Sequence, residues 1–233
     1  VIAVNLIRPL PHYRRDAFDR GLRAAGYSLV LNGKPTGPED LLVVWNRYGA
    51  FHERARNWEA AGGTVLVCEN GYIGADVKGH QLYAISAEGH NGSGWWPIGT
   101  EDRFSALGIE VKPWVSRPDG YALICGQRGI GSPTMASPPN WHVGAERRVR
   151  AWWPRTKVRL HPGNNAPAVP LSADLAGASH CVIWSSSSGV KALCEGIHVA
   201  YDAPNWICAG GATPLGRIGE LNPVGHEDSR DIA

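Results

Sequence analysis

The sequence predicts an α/β protein of two halves, each a parallel β-sheet with crossover helices. Three observations support this prediction. Short apolar runs alternate with segments of helical spacing, the alternation pauses and then restarts near residue 118, and 43% of the 233 residues are hydrophobic, which is enough for two cores. We therefore expect two Rossmann-like domains, residues 1–117 and 118–233, that face each other across a cleft.

In the first half, four short apolar runs have the character of strands buried on both faces of a parallel sheet: Val1–Ile7, Ser28–Leu31, Leu41–Trp45 and Thr64–Cys68. Helical spacing predicts helices over Tyr13–Ala25 and His52–Ala61, and each of them is followed by glycine, the usual helix stop. The following region is less regular. There we expect only a strand at Leu82–Ser86 and a long glycine-rich loop over residues 89–97.

In the second half, the alternation gives four more strands: Tyr121–Cys125, Lys157–Leu160, Cys181–Trp184 and His198–Tyr201. Three helices are predicted between them: Val143–Trp153, Leu171–Ala176 and Val190–Glu195. Strand–helix–strand connections of this kind produce parallel pairs through right-handed crossovers. Residues 113–120, with two prolines and a turn, are the expected linker between the halves.

The charge balance and the cysteines exclude several classes of protein. A formal net charge of +2 is too small for binding nucleic acid by bulk electrostatics, although a few phosphates could be held locally. No apolar stretch reaches the roughly 18 residues of a membrane span. The five cysteines contain no C-x-x-C pair, and three of them lie in or beside strand-like runs: Cys68, Cys125 and Cys181. This pattern indicates buried thiols in a reducing compartment, so we expect a cytoplasmic protein without a metal site. We also expect a monomer.

Three successive strands of the second half end in small, polar or glycine-rich turns. Ligands of open α/β sheets bind outside the carboxyl ends of the strands, where helix N-termini offer N–H groups to phosphate. The sharpest case is the turn of Ser185, Ser186, Ser187, Ser188 and Gly189, whose hydroxyls either cap the next helix or also donate to phosphate. One serine would suffice as a cap, so four favour ligand contact, with Gly189 allowing close approach of the backbone.

Two other turns carry candidate phosphate ligands. Gln127, Arg128 and Gly129 belong to a G-x-x-G-x-G loop that matches neither the P-loop nor the dinucleotide-binding pattern. Arg128 either neutralises a phosphate or is a surface residue of a plain turn. His161 follows the next strand, and it either binds phosphate or sugar or has a structural role.

The first half offers groups for acid–base chemistry. Glu69 comes at the end of the fourth predicted strand, where its carboxylate would face the cleft and could take a proton from a hydroxyl. His90, in the glycine-rich loop, is the second candidate. Carboxylates and histidines are common on protein surfaces, so a structural role fits both residues as well.

These stretches resemble the GT-B glycosyltransferases, most closely the capsule-polysaccharide Kdo transferase type. The strand that ends in His161 is similar to the family's strand ending in His-Pro, and Ser185–Gly189 is similar to its Ser/Thr-rich turn before a helix. Leu123–Gln127 resembles the strand and glutamine that open the donor domain. Glu69–Gly71 resembles the Glu-Asp-Gly segment on the acceptor side. Each piece is short, and their order along the chain is the specific signal.

The resemblance implies an enzyme that moves a sugar from a nucleotide-sugar, with a UDP-sugar favoured, to an acceptor hydroxyl. It implies that the second half binds the donor phosphate, that Glu69 or His90 removes a proton, and that no cofactor is needed. The sequence departs from the family at two positions. The helix glutamate that meets the donor ribose is Lys191 here, and the aspartate expected to be catalytic is Asn70. A non-catalytic nucleotide- or nucleic-acid-binding module is therefore the alternative.

The acceptor is open between a polysaccharide and phage DNA that carries a hydroxymethylated base. On DNA, Arg14 and Arg47 would contact the phosphate backbone, and Trp95 and Trp96 would stack beside an extruded base. Alternatively, these arginines are ordinary solvated charges of helices and loops.

Overall fold

The structure, a computed structural model, describes residues 1–163 and 169–220, and the chain packs into two compact units. Unit 1 consists of three segments: Val1–Gly71, Tyr83–Gly99 and Gly131–Pro133. Unit 2 consists of the other three: Tyr72–Leu82, Thr100–Ile130 and Thr134–Ala233. This division assigns residues 100–117 to unit 2, whereas the sequence predicts a boundary at residue 117. The polar tail from residue 221 lies outside the described residues.

The sheet of unit 1 has the strand order β2-β1-β3-β4-β5. Its strands are β1 Ile2–Asn5, β2 Ser28–Val30, β3 Leu41–Trp45, β4 Thr64–Ala75 and β5 Gln81–Ala87. The end of β4 and the start of β5 belong to the segment Tyr72–Leu82 of unit 2. The pairs β1–β2, β1–β3 and β3–β4 are parallel. The prediction of a parallel α/β sheet in the first half is therefore confirmed, because β1, β2 and β3 lie where apolar runs predicted them.

Two helices cover opposite faces of this sheet. Helix α1 spans Arg15–Ala24 and helix α2 spans Ala50–Ala60. Because successive side chains of a strand point to opposite faces, β4 contributes alternately to two cores. Val65 and Val67 pack with Trp58 of α2. Cys68 points to the opposite face, where it packs in the core under α1.

Strand β4 is longer than predicted. It continues from Cys68 to Ala75, and only five residues separate it from β5, its hydrogen-bonded neighbour. A connection this short cannot make a parallel crossover, so β4 and β5 form an antiparallel hairpin. Asp76 holds the turn, since its carboxylate accepts hydrogen bonds from the backbone N–H groups of Lys78 and His80, both at 2.9 Å.

The sheet of unit 2 has the order β10-β9-β8-β6-β7, and every pair in it is parallel. Its strands are β6 Tyr121–Cys125, β7 Thr156–Arg159, β8 Ala178–Ile183, β9 His198–Tyr201 and β10 Thr213–Pro214. The helices of this unit are a short α3 at Asp102–Ser105, then α4 Trp141–Val149, α5 Leu171–Ala176 and α6 Ser187–Cys194. The alternation predicted for the second half is confirmed, with small shifts at the helix ends.

The register of unit 2 brings three strand ends level with one another. Cys125, the last residue of β6, pairs with Ile183 at the end of β8 and with Arg159 at the end of β7. The turns that follow these strands therefore leave the sheet side by side, at its carboxyl edge.

Candidate functional site

The turns that the sequence analysis selected in the second half follow strands that end at this carboxyl edge. Parallel strands of an open sheet place their following turns where ligands bind in α/β proteins. The three turns contain Gln127 after β6, His161 after β7 and Ser185 after β8. The structure thus brings together residues that are up to 58 positions apart in the chain.

A side chain joins the two central turns directly. The Ser185 N–H donates to Oε1 of Gln127 at 2.6 Å, and Nε2 of Gln127 lies 3.4 Å from Oγ of Ser185. Ser185 is 5% exposed, so this contact is shielded from water. Gln127 and Ser185 therefore hold the β6 and β8 turns together, since their polar atoms contact each other.

The other three serines have different roles at the start of α6. Ser186 is the N-cap: its Oγ accepts from the Ser188 N–H at 3.2 Å and from the Ser188 hydroxyl at 2.7 Å. The Gly189 N–H donates to the Ser186 carbonyl at 3.0 Å. Ser187 is exposed at the first helical position, and its N–H and hydroxyl have no partner among the described residues. Of the four serines, Ser187 has the donors best placed for an anion.

Gly189 has a different role from the predicted one. A Cβ at this position would lie 2.5 Å from Cδ1 of Ile183 and 2.9 Å from the Trp206 ring. The glycine is buried, and it allows α6 to pack closely on the core of unit 2. The expectation that Gly189 lets the backbone approach a ligand is therefore corrected: it approaches protein atoms.

Arg128 and His161 supply further polar groups at the same edge. Partial burial of the ring, together with the positive charge of the exposed Arg128, lowers the pKa of His161. Desolvation is the larger of these two causes. Nδ1 of His161 accepts from the Gly163 N–H at 2.9 Å, which leaves Nε2 of the ring as the outward polar atom. Gly129 has a φ of +67°, so the loop needs glycine at this turn.

One residue at this edge has no signal in the sequence. His142, in the first turn of α4, packs against Gly126: a Cβ on this glycine would lie 3.6 Å from Nδ1 of the histidine. A histidine inside a predicted helix resembles many structural histidines. Only the packing of α4 against the β6 turn identifies it as a site residue.

In unit 1, Glu69 lies one residue beyond the level at which β3 ends. Cys68 pairs with Trp45, the last residue of β3, and Glu69 follows it directly. One of its carboxylate oxygens, Oε1, is buried. Glu69 lies within β4 rather than after it, because the strand continues along β5 beyond the end of β3.

His90 lies in a loop that begins beside the start of β4. The Glu88 N–H donates to the carbonyl of Val65 at 2.9 Å, which places the loop of His90 beside the start of β4. Glu69 is four residues further along the strand, roughly 13 Å at about 3.3 Å per residue. His90 is 7% exposed, and burial lowers its pKa to about 4. The imidazole of His90 is therefore neutral at ordinary pH and buried within unit 1.

The predicted acceptor arginines are engaged by protein groups. Both terminal nitrogens of Arg47 donate to the Glu59 carboxylate at 2.5 Å, and one of them also donates to the Glu88 carbonyl. Arg47 is 8% exposed, which corrects the expectation of a surface cation that grips DNA. Arg14 is exposed and lies 3.5 Å from Asp16.

The two tryptophans of the glycine-rich loop differ in exposure. Trp95 is 59% exposed, and its backbone forms a bridge with Ala87. Trp96 is half-buried, and its indole N–H donates to the Asn91 carbonyl at 3.0 Å. Hydrogen bonds within the segment therefore hold this loop, and Trp95 is the ring that faces solvent.

The fold of the chain is similar to that of solved Kdo transferase structures, in agreement with the resemblance of its sequence to GT-B glycosyltransferases of the capsule Kdo transferase type. Two solved structures from Thermosulfurimonas dismutans KpsC match it. The β-Kdo 2,4 transferase is 16% identical with a TM-score of 0.55, and the alignment covers 92% of this chain and 83% of that one. The β-Kdo 2,7 transferase is 12% identical with a TM-score of 0.59, covering 92% and 82%.

The other comparisons give no relative. No protein-family model matches the chain, and no curated protein sequence matches it. At 12–16% identity, the structural likeness establishes the fold, and the predicted cleft between the two domains stays a prediction. Within residues 1–163 and 169–220, none of the helices combines the length and the apolar character needed to cross a bilayer.

Proposed function

We propose that this protein is a glycosyltransferase that moves a sugar from a nucleotide-sugar to an acceptor hydroxyl. The observation that carries the proposal is the alignment of three polar turns at the carboxyl edge of unit 2, joined by the contact between Gln127 and Ser185. The two matched structures are Kdo transferases, which supports the same class of reaction.

In this proposal, the donor phosphate binds at the start of α6. The N–H and hydroxyl of Ser187 donate to phosphate oxygens, and the positive end of the helix dipole and Arg128 stabilise the negative charge. His161 adds a donor or acceptor through its outward nitrogen. These groups stabilise the nucleotide as it leaves with the electron pair of the broken glycosidic bond. A UDP-sugar is the favoured donor.

Glu69 is the proposed proton acceptor. The acceptor hydroxyl loses its proton to the carboxylate, its oxygen forms the new bond to the anomeric carbon, and the bond from that carbon to the donor phosphate breaks. Asn70 stands where the resembling family has a carboxylate, so Glu69 is the carboxylate this segment provides.

We propose a carbohydrate hydroxyl rather than a DNA base as the acceptor. Two of the four residues expected to bind DNA are engaged within the protein. Arg47 forms an ion pair with Glu59, and the indole N–H of Trp96 donates to a carbonyl of its own loop. The net charge of +2 also gives no bulk attraction for a polyanion. Nucleotide release with a carbohydrate acceptor and with hydroxymethylated DNA compares the two directly.

The donor site is tested by calorimetry with UDP and CMP. Ser187→Ala should weaken binding by about 1–3 kcal/mol, the range for hydrogen bonds to charged groups, without loss of stability. Ser186→Ala should instead destabilise the protein, by about 0.5–2 kcal/mol, because it removes the helix cap. Ser105→Ala, an exposed serine of α3, is the control. Unchanged affinity of Ser187→Ala would remove α6 from the donor site.

Turnover is tested by release of nucleotide from UDP- and CMP-sugars, with and without acceptor. Glu69→Gln should abolish transfer and leave nucleotide affinity as in the wild type, because the amide keeps the shape but cannot take the proton. Binding without any turnover by the wild type would favour a non-catalytic nucleotide-binding module.

A further inference from the structure

His52 and Glu69 lie at the same end of the unit 1 sheet. The Asn46 N–H donates to the carbonyl of Cys68 at 3.0 Å, so the chain leaving β3 is still beside β4 at the residue before Glu69. Helix α2 begins four residues later, at Ala50, and His52 is in its first turn. The carboxylate and the imidazole are therefore both placed at the carboxyl edge.

The two side chains also share a face of the sheet. Val65 and Val67 pack against α2, and Glu69 follows them with the strand period of two. The carboxylate of Glu69 is thus on the face that α2 covers. The other face of the sheet at this point belongs to Cys68 and the core under α1.

The flank of α2 that carries His52 is turned toward β4. Glu59 lies two helical turns after His52, on the same flank. Its partner Arg47 also donates to the Glu88 carbonyl, and the N–H of Glu88 is bonded to Val65 of β4. The side of α2 that carries His52 therefore faces β4, the strand that contains Glu69.

His52 has a polar atom in need of a partner. Nδ1 is buried and has no hydrogen-bond partner among the described residues, although burying a polar group unpaired is costly. Nδ1 and Glu69 are not hydrogen-bonded to each other in this structure. Contacts of this kind often tighten only when substrate is bound.

We infer that His52 is the positioning residue for Glu69. The inference rests on the proposed function, in which Glu69 takes the acceptor proton. The imidazole donates its Nδ1–H to the carboxylate, which holds the carboxylate in one orientation and favours its ionised form. His52 itself touches neither donor nor acceptor in this arrangement.

Kinetics of variants of the full chain test the inference. His52→Ala should lower kcat by about 10- to 100-fold, less than the roughly 10²–10⁴-fold expected for loss of the base itself. KM should change little, and the acidic limb of the pH–rate profile should move to higher pH. His52→Gln should keep most of the activity, since its amide N–H can donate in place of the imidazole. His80→Gln, at a histidine whose side chain is 73% exposed, is the matched control. Wild-type kcat and pH profile in His52→Ala would overturn the inference.

A second measurement does not depend on turnover. In protein labelled with ¹⁵N-histidine and saturated with UDP and a carbohydrate acceptor, Nδ1 of His52 should resonate as a protonated nitrogen, and Glu69→Gln should shift it while His80 stays unchanged. An Nδ1 signal that Glu69→Gln leaves in place would refute the contact. This test does not need the His52→Ala variant, so it holds even if that variant fails to fold. If the wild type turned over no donor, the proposed function would fail, whereas this spectrum would still decide whether the two residues meet.

Discussion

Gln127→Ala is expected to destabilise the protein by about 1–3 kcal/mol and to weaken nucleotide binding. The Ser185 N–H loses an acceptor at 2.6 Å, and at 5% exposure water cannot replace it. A buried donor deprived of its acceptor costs about 1–3 kcal/mol. The second contact, at 3.4 Å, is too long to add much. Because Ser185 leads into α6, loss of this link also misplaces the Ser187 donors.

Urea unfolding followed by circular dichroism gives the stability, and calorimetry with UDP or CMP gives the affinity. Gln127→Glu is the matched control, because a carboxylate still accepts from the Ser185 N–H. This variant should stay within about 1 kcal/mol of wild-type stability yet bind the anionic nucleotide less tightly, since like charges repel. Wild-type stability in Gln127→Ala would refute the argument that this side chain holds the two turns together.

Two further predictions concern packing and pH. Gly189→Ala should cost about 1–3 kcal/mol by overpacking, whereas Gly144→Ala, a helical position with open space around it, should stabilise by up to about 1 kcal/mol; thermal unfolding that ranks them equally would contradict this. Burial lowers the pKa of His90 to about 4 from an ordinary 6.5, so its contribution to stability is complete above about pH 6.5 and is lost as pH falls toward 4. His90→Gln should therefore flatten the fall in unfolding free energy across this window, with His180, whose pKa is also lowered to about 4, supplying part of the remaining slope. An unaltered slope would show that His90 is already accessible to protons.

Apolar runs bounded by turn residues made much of the fold predictable. Leu41–Trp45, Leu171–Ala176 and His198–Tyr201 have the predicted bounds. In contrast, β4 was predicted to end at Cys68, because the polar Glu69–Gly71 reads as a turn. What extends the strand is pairing with β5, and pairing between strands leaves no mark in local composition.

The candidate site also has features that the sequence predicts and features that depend on tertiary contacts. The location of the β6 and β8 turns followed from strand order, but the link between Gln127 and Ser185 depends on a register that the sequence does not show. The ion pair that withdraws Arg47 from the surface depends on where Glu59 falls on a helix flank. A free cation and a paired one have the same local sequence, so only tertiary contacts separate them.

Neither compact unit is a continuous stretch of chain. The polypeptide passes from one unit to the other after residues 71, 82, 99, 130 and 133, so a cut at the predicted linker would leave residues of both units on the N-terminal piece. Transferring residues 118–233 to another protein as a single gene fragment would therefore leave part of unit 2 behind. Contacts that close only after distant segments meet also slow folding, so the chain should reach its native state late in synthesis rather than one half at a time.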